Sequence, residues 1–317
     1  MDVTSDVLRQ RRRRGRLAAA LVTCAGLLLA SCEHDGPTSH NAAEPEPPAA
    51  IKGACAGVRA DFPFDVATGA AVCPPYTRPA VFFSPHQDDE SLGMSGSIAV
   101  DVAAGRQVFL ELMTGGQESA ARATLANGRR DSWHPGAHTY PLTVAQFSLA
   151  RTKEFLDAAA RLHVTGVFLN GFEENHLTTE EVTRRVNFWK RWGGDGLSLH
   201  GTAGAEDPGS ATTGPHPDHV AVWMALDQSG VRDITGHLIY QYRTHLGTYD
   251  ERVDYTGVCG ARQNALAAYK VWDPSQGRYG IGYHSVRTLF DSSAASCAEY
   301  VLHKPHVRKP LASAPGR

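Results

Sequence analysis

The chain has 317 residues, of which 42% are hydrophobic and 20% are charged. This composition supplies enough apolar surface for a packed core and excludes global disorder. The 31 Lys and Arg side chains nearly balance the 33 Asp and Glu side chains, so the charge does not indicate binding to nucleic acid. The length predicts one large domain or two small ones.

The N-terminus has the pattern of an export signal. Six arginines between Arg9 and Arg16 precede an apolar run of 13 residues, Leu17 to Leu29, which is shorter than the about 20 residues of a membrane span. The run ends in Ala30-Ser31-Cys32, which resembles a bacterial lipobox. We therefore expect residues 1–31 to be a lipoprotein signal peptide and Cys32 to carry a lipid that attaches the exported protein to the cell membrane. An ordinary signal peptide, leaving a secreted protein, is the alternative, and the arginines would also suit twin-arginine export.

Composition divides the rest of the chain. Residues 32–54 contain four prolines among polar residues, which predicts a flexible linker. We expect a single domain at 55–310, with a core at about 79–245 and an irregular C-terminal lobe at 246–310. Residues 1–31 hold six Arg and two Asp, so the remainder has 25 basic and 31 acidic side chains. Such an acidic domain has no obvious attraction to anionic polymers.

Four cysteines lie outside the leader: Cys55, Cys73, Cys259 and Cys297. An even number in an oxidising compartment predicts two disulfides. Of the three possible pairings we favour Cys55–Cys73 with Cys259–Cys297, because each closes a local loop. Buried free thiols are the alternative.

The apolar pattern of the core predicts alternating strands and helices. In chain order these are a strand at 80–83, a helix at 91–104, a strand at 108–113, a helix at 146–162, a strand at 166–169, a helix capped by Thr178, a helix at 218–226 and a strand at 237–242. This alternation predicts an α/β, Rossmann-like fold with a mostly parallel sheet and helices on both faces. Residues 126–142 and 193–215 are predicted to be long loops.

Two short segments carry the residues suited to chemistry. Residues 84–90, Ser-Pro-His-Gln-Asp-Asp-Glu, directly follow the first predicted strand, and residues 215–219, Pro-His-Pro-Asp-His, open a predicted helix. Three consecutive acids are costly to bury unless a bound cation offsets their charge. Because sites in open α/β sheets lie beyond the carboxyl ends of the strands, the two segments could meet at one sheet edge.

Together the segments predict a metal site. Two imidazoles and one carboxylate would make three protein ligands with an open position, the pattern of catalytic zinc. Water in that position becomes nucleophilic near neutral pH. A spare carboxylate could take a proton from the water, and a spare histidine could stabilise the oxyanion or protonate the leaving group. Each segment alone is more often a surface turn or a helix cap.

The two segments resemble the motifs H-P-D-D-E and H-P-D-H of the PIG-L/LmbE-like family of zinc-dependent N-acetylglucosaminyl deacetylases. An arginine and a glutamate three residues apart, Arg151 and Glu154, and an Ala-Leu-x-x-Tyr stretch at 265–269 are also similar to that family. The resemblance spans about 79–272.

The chain departs from the family pattern at three places. Gln87 replaces a proline, and Met94-Ser95-Gly96 stands where a glycine pair usually follows the first motif. Gly214-Pro215 occupies the place of a tyrosine found in some members.

The resemblance implies a role for each residue. His86, Asp89 and His219 would hold one Zn²⁺ per chain. Asp88 would be the general base, and His216 would support the oxyanion or the leaving group. Asp218 would orient His216, and Arg151 would contact the substrate. For Arg151 an equally open alternative is a salt bridge with Glu154 or Glu111.

The implied function is an exported zinc amidohydrolase that removes an N-acyl group, expected to be acetyl, from an amino sugar or its conjugate. A deacylase of a glycopeptide or a lipid-linked sugar is a related alternative. A catalytically weak carbohydrate-binding protein of the same fold is another. A non-haem iron oxygenase also uses two histidines and a carboxylate, but it would leave Asp88 and His216 without a clear role.

Overall fold

The computed structural model describes residues 62–127, 132–134, 139–204, 215–239 and 251–303. The strands are β1 Ala80–Ser84, β2 Val108–Thr114, β3 Gly166–Phe172, β4 Ser198–Thr202, β5 Asp233–His237, β6 Glu251–Asp254, β7 Trp272–Asp273, β8 Arg278–Tyr279 and β9 Ala298–His303. The α-helices are α1 Ser95–Ala103, α2 Ala121–Ala126, α3 Val144–Arg161, α4 Thr179–Trp192, α5 Pro217–Asp227, α6 Cys259–Ala268 and α7 Ile281–Ala295. A π-helix, Glu90–Met94, leads directly into α1, and 3₁₀ turns cover Thr256–Val258 and Pro274–Gln276.

The central sheet has seven strands in the order β3-β2-β1-β4-β5-β9-β6. The first five strands of the chain run parallel, whereas β9 is antiparallel to β5 and β6 is antiparallel to β9. The strand order reverses between β1 and β4, and such a switch point opens a crevice at the carboxyl ends of the strands. The predicted α/β fold with a mostly parallel sheet is confirmed.

Two apolar cores cover the two faces of the sheet. Phe82 and Leu110 pack on the face that carries α1, α3, α6 and α7, whereas Val81 and Phe109 pack on the face that carries α4 and α5. Strands buried on both faces have continuous apolar runs, which explains the pattern of β1. Burial on both faces also fixes the register of β1 and β2, and with it the position of the loop that follows β1.

Local sequence signals account for the helix ends. Capping boxes begin α3, with Thr143 and Gln146, and α4, with Thr178 and Glu181, so the predicted cap at Thr178 is confirmed. A Cβ atom on Gly96 would collide with the ring of Tyr255. A glycine at that position therefore lets the segment 251–258 lie against α1.

Two predicted elements differ from the structure, and one helix was not predicted. The predicted loop 193–215 contains β4, whose Ser-Leu-His-Gly-Thr sequence has too few apolar residues to indicate a strand. Strand β5 ends at His237, where a strand was predicted to begin, and residues 240–242 lie outside the described ranges. Helix α2 was not predicted because it is only six residues long.

The C-terminal lobe is more regular than predicted. Its described part, 251–303, contains α6, α7 and the strands β6 and β9, which extend the central sheet. Arg262 on α6 is buried and forms an ion pair of 2.8 Å with Glu299 on β9, so a charged residue interrupts the apolar pattern that would otherwise indicate a helix.

The predicted disulfide Cys259–Cys297 is confirmed and links the start of α6 to the residue before β9. Cys73 is also disulfide-bonded, but Cys55 lies outside the described residues, so the pairing Cys55–Cys73 stays a prediction. The signal peptide 1–31 and the linker 32–54 lie outside the described residues as well. None of the helices in the described ranges has the length and apolarity needed to cross a bilayer.

Candidate active site

The first motif forms the turn between β1 and the π-helix. The backbone N–H of His86 donates to Oδ2 of Asp89 at 3.0 Å, and the Ser84 hydroxyl donates to the carbonyl of His86 at 2.7 Å. These bonds fix the turn before the π-helix starts at Glu90. Short π-helical segments are frequent at functional sites, and this one directly follows the predicted catalytic residues.

The second motif begins α5 at the carboxyl end of β4. His216 is the N-cap of α5, its Nδ1 accepts from the backbone N–H of Asp218 at 3.3 Å, and Pro217 is the first helical residue. The Thr202 hydroxyl at the end of β4 donates to the carbonyl of His219 at 3.2 Å. The first turn of α5 is therefore anchored to the strand beside β1.

Both motifs meet in a close triangle of possible ligand atoms. Oδ2 of Asp89 lies 3.1 Å from Nδ1 of His86 and 3.2 Å from Nε2 of His219, and these two nitrogens are 3.3 Å apart. Tetrahedral ligands about 2.0–2.2 Å from a zinc ion are separated by about 3.3–3.6 Å. The three atoms could therefore converge on one metal ion with only slight movement.

A second donor set shares two of these residues. The ligand atoms of His86, His216 and His219 all lie within 4.8 Å of one another, so these three histidines could hold a metal ion. The set with Asp89 is tighter, and it leaves His216 available for another role. Burial and the neighbouring His86 and His219 lower the pKa of His216 to about 4, so its imidazole is neutral at pH 7.

The carboxylate of Asp218 lies closer to His86 than to His216, the residue that it was predicted to orient. Its Oδ2 is 3.0 Å from Nε2 of His86 but 3.8 Å from Nδ1 of His216, so the closer imidazole is that of His86. The same carboxylate accepts the backbone N–H groups of Asn175 at 2.9 Å and Leu177 at 3.2 Å. A carboxylate that accepts from one ring nitrogen leaves the other ring nitrogen for a metal ion.

The acids and imidazoles of the site shift one another's pKa values so that each favours the charged form of its partner. Burial opposes protonation of His86, but the carboxylates of Asp218 and Asp89 raise its pKa to about 10. Burial opposes ionisation of Asp89, yet the imidazoles of His219 and His86 hold its pKa well below the usual range. Without a metal ion, a protonated imidazole therefore supplies the positive charge between the acids.

Asp88 sits apart from the triangle. Its Oδ1 is 3.6 Å from Nη2 of Arg151, and burial raises the pKa of this carboxyl in spite of the guanidinium. Arg151 also lies 3.6 Å from Glu174 and donates to the carbonyl of Gly116 at 3.1 Å. Arg151 thus holds two carboxylates at the site.

The alternative salt bridges of Arg151 do not form among the described side chains. Glu154 accepts the backbone N–H groups of Ile281 and Gly282 at the start of α7, at 2.6 and 3.0 Å. Glu111 is bound instead by Arg185 and by the indole of Trp189. Arg151 is therefore directed to the cavity, as the substrate-contact prediction requires.

The predicted residues line a cavity of about 250 Å³. Its polar lining consists of His86, Asp88, Asp89, Glu118, Ser119, Arg151, Glu174, Asn175, His216, His219 and Ser285. Its apolar lining consists of Leu92, Ala120, Ile239, Val286 and Leu289. Asp218 lies beneath the cavity rather than on its surface, since it is fully buried and absent from the lining.

Sequence reasoning missed several lining residues. Glu174 follows β3 just as the first motif follows β1. An acidic residue shortly after a predicted strand could therefore have identified Glu174 as a candidate site residue. Glu118, Ser119 and Ser285 had no such signal, because the fold brings them to the cavity from a loop and from α7.

Comparison with known proteins agrees with this geometry. Residues 81–229 match the family described as PIG-L: GlcNAc-PI de-N-acetylase. The matched segment contains both motifs, Arg151 and Glu154. The resemblance predicted from the two motifs is confirmed. No curated protein matches the chain.

Several solved structures are similar to this chain at low sequence identity. A deacetylase triple mutant of the teicoplanin biosynthetic pathway has a TM-score of 0.50 and 16% identity, covering 72% of this chain and 99% of that one. N,N'-diacetylchitobiose deacetylase from Pyrococcus horikoshii has a TM-score of 0.46 and 16% identity, covering 72% and 84%. GalB, a 4-carboxy-2-hydroxymuconate hydratase from Pseudomonas putida KT2440, has a TM-score of 0.48 and 18% identity, covering 74% and 99%. At these identities the likeness to the teicoplanin deacetylase shows the fold alone.

The late Ala-Leu-x-x-Tyr stretch contacts the first motif. The hydroxyl of Tyr269 donates to Oε1 of Glu90 at 2.7 Å, and Ser91 donates to the same oxygen at 2.6 Å. Burial raises the pKa of Glu90 well above its usual range, although the hydrogen bonds from Ser91 and Tyr269 oppose this shift. The contact joins the C-terminal lobe to the π-helix that follows the turn of the first motif.

Proposed function

We propose that the chain is a metal-dependent amidohydrolase that removes an N-acyl group, acetyl in the simplest case, from an amino sugar or its conjugate. The observation that carries this proposal is the triangle of His86, Asp89 and His219 with Asp88 beside it in the cavity. Two imidazoles and one carboxylate are an established donor set for catalytic zinc. We assign one zinc ion per chain to these three residues.

A zinc ion held there would polarise the amide carbonyl and lower the pKa of water. Asp88 accepts a proton from the attacking water in this proposal. Its buried carboxyl has a raised pKa, which makes it a better proton acceptor than a surface aspartate. Arg151, 3.6 Å from Asp88, holds this carboxylate in the cavity and stabilises its charged form.

In this proposal His216 assists the oxyanion or the departure of the amine. In hydrolysis the water oxygen bonds to the acyl carbon, the C–N bond breaks, and the amine nitrogen takes up a proton. His216 lies in the cavity with its Nδ1 occupied by the N–H of Asp218, which leaves Nε2 to donate to the oxyanion or to the leaving amine. Asp218 orients His86 by accepting from its Nε2.

The cavity also fits the substrate class. It is open to solvent on a side lined by hydroxyl, carboxylate and amide groups, whereas Leu92, Ile239 and Leu289 form buried walls. A substrate with a polar ring and a small acyl group matches this division. A catalytically inactive sugar-binding protein with the same cavity would bind such a ligand without releasing amine.

We extend the proposal to the place of action. An export signal with a lipid on Cys32 would place the enzyme on the outer side of the cell membrane, where an N-acylated glycoconjugate is the substrate. The support is the sequence at Leu17–Cys32 alone. Cys32→Ala is expected to leave the protein unprocessed or released into the medium, as followed by cell fractionation. Unchanged processing and membrane attachment would contradict the lipid anchor.

The hydrolase proposal is tested with the full-length protein purified in detergent. Bound zinc is measured by elemental analysis, and amine release is followed on N-acetylglucosamine and its β-1,4-linked dimer. Activity is expected to disappear on chelation and to return with zinc. Sugar binding without amine release at any metal content would instead favour the binding protein, and activity that survives complete metal removal would contradict the metal-dependent mechanism.

A further inference from the structure

Two serines from separate elements meet at the exposed rim of the cavity. Ser119 lies in the loop between β2 and α2, and Ser285 lies in α7. Their hydroxyl oxygens are 3.2 Å apart, and both residues line the cavity that contains the candidate metal site. Ser285 is exposed, whereas the neighbouring cavity residue Leu289 is only 6% exposed. The rim is therefore polar and exposed to solvent, whereas the wall below it is apolar and buried.

A kink in α7 lies directly after Ser285. Val286 has φ −136° and ψ 48°, which is not helical, although the helix continues on both sides. No proline or glycine lies within two residues of Val286, so local sequence alone does not explain the kink. Ser285, Val286 and Leu289 all line the cavity. In a regular helix Ser285 and Leu289 would share a face, but Val286 would be rotated about 100° away.

The position of α7 is fixed on both sides of the kink. At the start of α7, the N–H groups of Ile281 and Gly282 donate to the carboxylate of Glu154 on α3. After the kink, Phe290 of α7 is buried in the core. Arg151, on the same helix as Glu154, reaches the cavity. Helix α3 therefore holds both the catalytic side of the cavity and the helix that carries Ser285.

The hydrogen-bonding capacity of the pair is not exhausted. Oγ of Ser119 accepts the backbone N–H of Ala121 at 3.3 Å. Between the two hydroxyls only one can donate to the other, so one O–H group has no acceptor among the described residues. The pair thus offers a donor and several acceptor lone pairs to a ligand at the rim. A sugar hydroxyl, which both donates and accepts, matches such a pair.

We infer that Ser119 and Ser285 bind a ring hydroxyl of the substrate. The inference rests on the proposed function, since the scissile amide must lie at the candidate metal site while the ring lies at the rim. The two serines are specificity determinants and take no part in proton transfer. Their loss weakens ground-state and transition-state binding equally, which raises KM and leaves kcat unchanged.

The test compares Ser285→Ala, Ser285→Thr and a control, Thr288→Ala, in the full-length zinc-loaded protein. Thr288 is exposed on α7 and does not line the cavity. Kinetics are measured on N-acetylglucosamine, and binding of the product glucosamine is measured by calorimetry. Ser285→Ala is expected to raise KM and the glucosamine Kd by about 2- to 10-fold, the loss of one neutral hydrogen bond. Ser285→Thr, which retains the hydroxyl, and Thr288→Ala are expected to stay within twofold of the wild type.

Substrates that lack single ring hydroxyls identify the contact. On the 3-, 4- or 6-deoxy analogue that lacks the bound hydroxyl, Ser285→Ala is expected to have no further effect. Equal KM and Kd for Ser285→Ala and wild type, with an unchanged melting temperature, would overturn the inference while leaving the hydrolase intact. A lowered kcat at unchanged KM would also overturn it.

The two proposals fail in different ways. If the wild type releases no amine but binds glucosamine more tightly than Ser285→Ala, the sugar contact stands and the proposed hydrolase falls. If the wild type neither hydrolyses nor binds any of these sugars, both are wrong.

Discussion

Nε2 of His86 lies 3.0 Å from Oδ2 of Asp218, although the two residues are 132 positions apart. His86 follows β1 and Asp218 lies in the first turn of α5, so the contact spans the switch point of the sheet. It uses one ring nitrogen and directs the other, Nδ1, toward Asp89 and His219. The tautomer needed for metal binding is therefore set by a residue that does not line the cavity.

The first prediction concerns this orienting carboxylate. Asp218→Asn is expected to weaken zinc affinity by about 10- to 100-fold, the usual cost of losing an outer carboxylate from a histidine ligand. Zinc affinity is measured by competition with a chromogenic chelator. Asp227→Asn, at the exposed end of the same helix, is the control and should leave the affinity unchanged. Equal affinity in Asp218→Asn and wild type would contradict the orienting role.

The second prediction concerns Glu154 and pH. Burial raises the pKa of Glu154 to about 8, against the opposing N–H groups of Gly282 and Ile281. The folded protein therefore binds this proton more tightly than the unfolded chain. The resulting stability is complete below about pH 4.5 and is lost as pH rises toward about 8.

Glu154→Gln removes this titration. We compare the melting temperatures of wild type and Glu154→Gln at each pH. The advantage of wild type over the variant is expected to fall by about 2–4 °C or more between pH 5 and about 8.5, equivalent to about 1 kcal/mol or more. Glu180→Gln, on the exposed side of α4, is the control and should track wild type. A difference that is constant or grows with pH would show that Glu154 is ionised throughout.

The third prediction concerns the buried ion pair that fixes the C-terminal lobe. Arg262 and Glu299 are both fully buried and 2.8 Å apart, and Glu299 also accepts the N–H of Gly96 at 2.6 Å. Arg262→Met leaves a buried carboxylate without its main partner and is expected to lower the free energy of unfolding by about 3–5 kcal/mol. Urea denaturation measures this, with the exposed Arg252→Met as control. A loss below about 1 kcal/mol would show that the pair contributes little.

The sequence predicted the mostly parallel α/β sheet and the two segments of the candidate site, but not every element around them. His86, Asp88, Asp89, His216 and His219 were proposed because the first motif directly follows a predicted strand and the second opens a predicted helix, and the structure places all five around one cavity. The contact between Asp218 and His86 was not predicted, because adjacency in sequence pointed to His216, whereas the turn of α5 brings the carboxylate 3.0 Å from His86 and 3.8 Å from His216.

The missed elements share a physical cause. Strand β4 has His200 and Gly201 at its centre, and α6 buries Arg262, so neither shows the apolar periodicity on which sequence reasoning depends. Helix α7 has a kink at Val286 that no local residue indicates. Tertiary packing determines β4, α6 and the kink in α7, and local patterns in a single sequence do not reveal it.

The measurement that tests the account most directly separates the two adjacent acids of the first motif. Asp88→Asn and Asp89→Asn are purified, checked for folding by circular dichroism, and compared for bound zinc and for amine release. Asp89→Asn is expected to lose both zinc and activity, whereas Asp88→Asn should retain zinc and lose about 10²- to 10⁴-fold in turnover. Loss of zinc from Asp88→Asn with retention in Asp89→Asn would reverse the assignment, and full zinc with full activity in both variants would contradict the hydrolase mechanism itself.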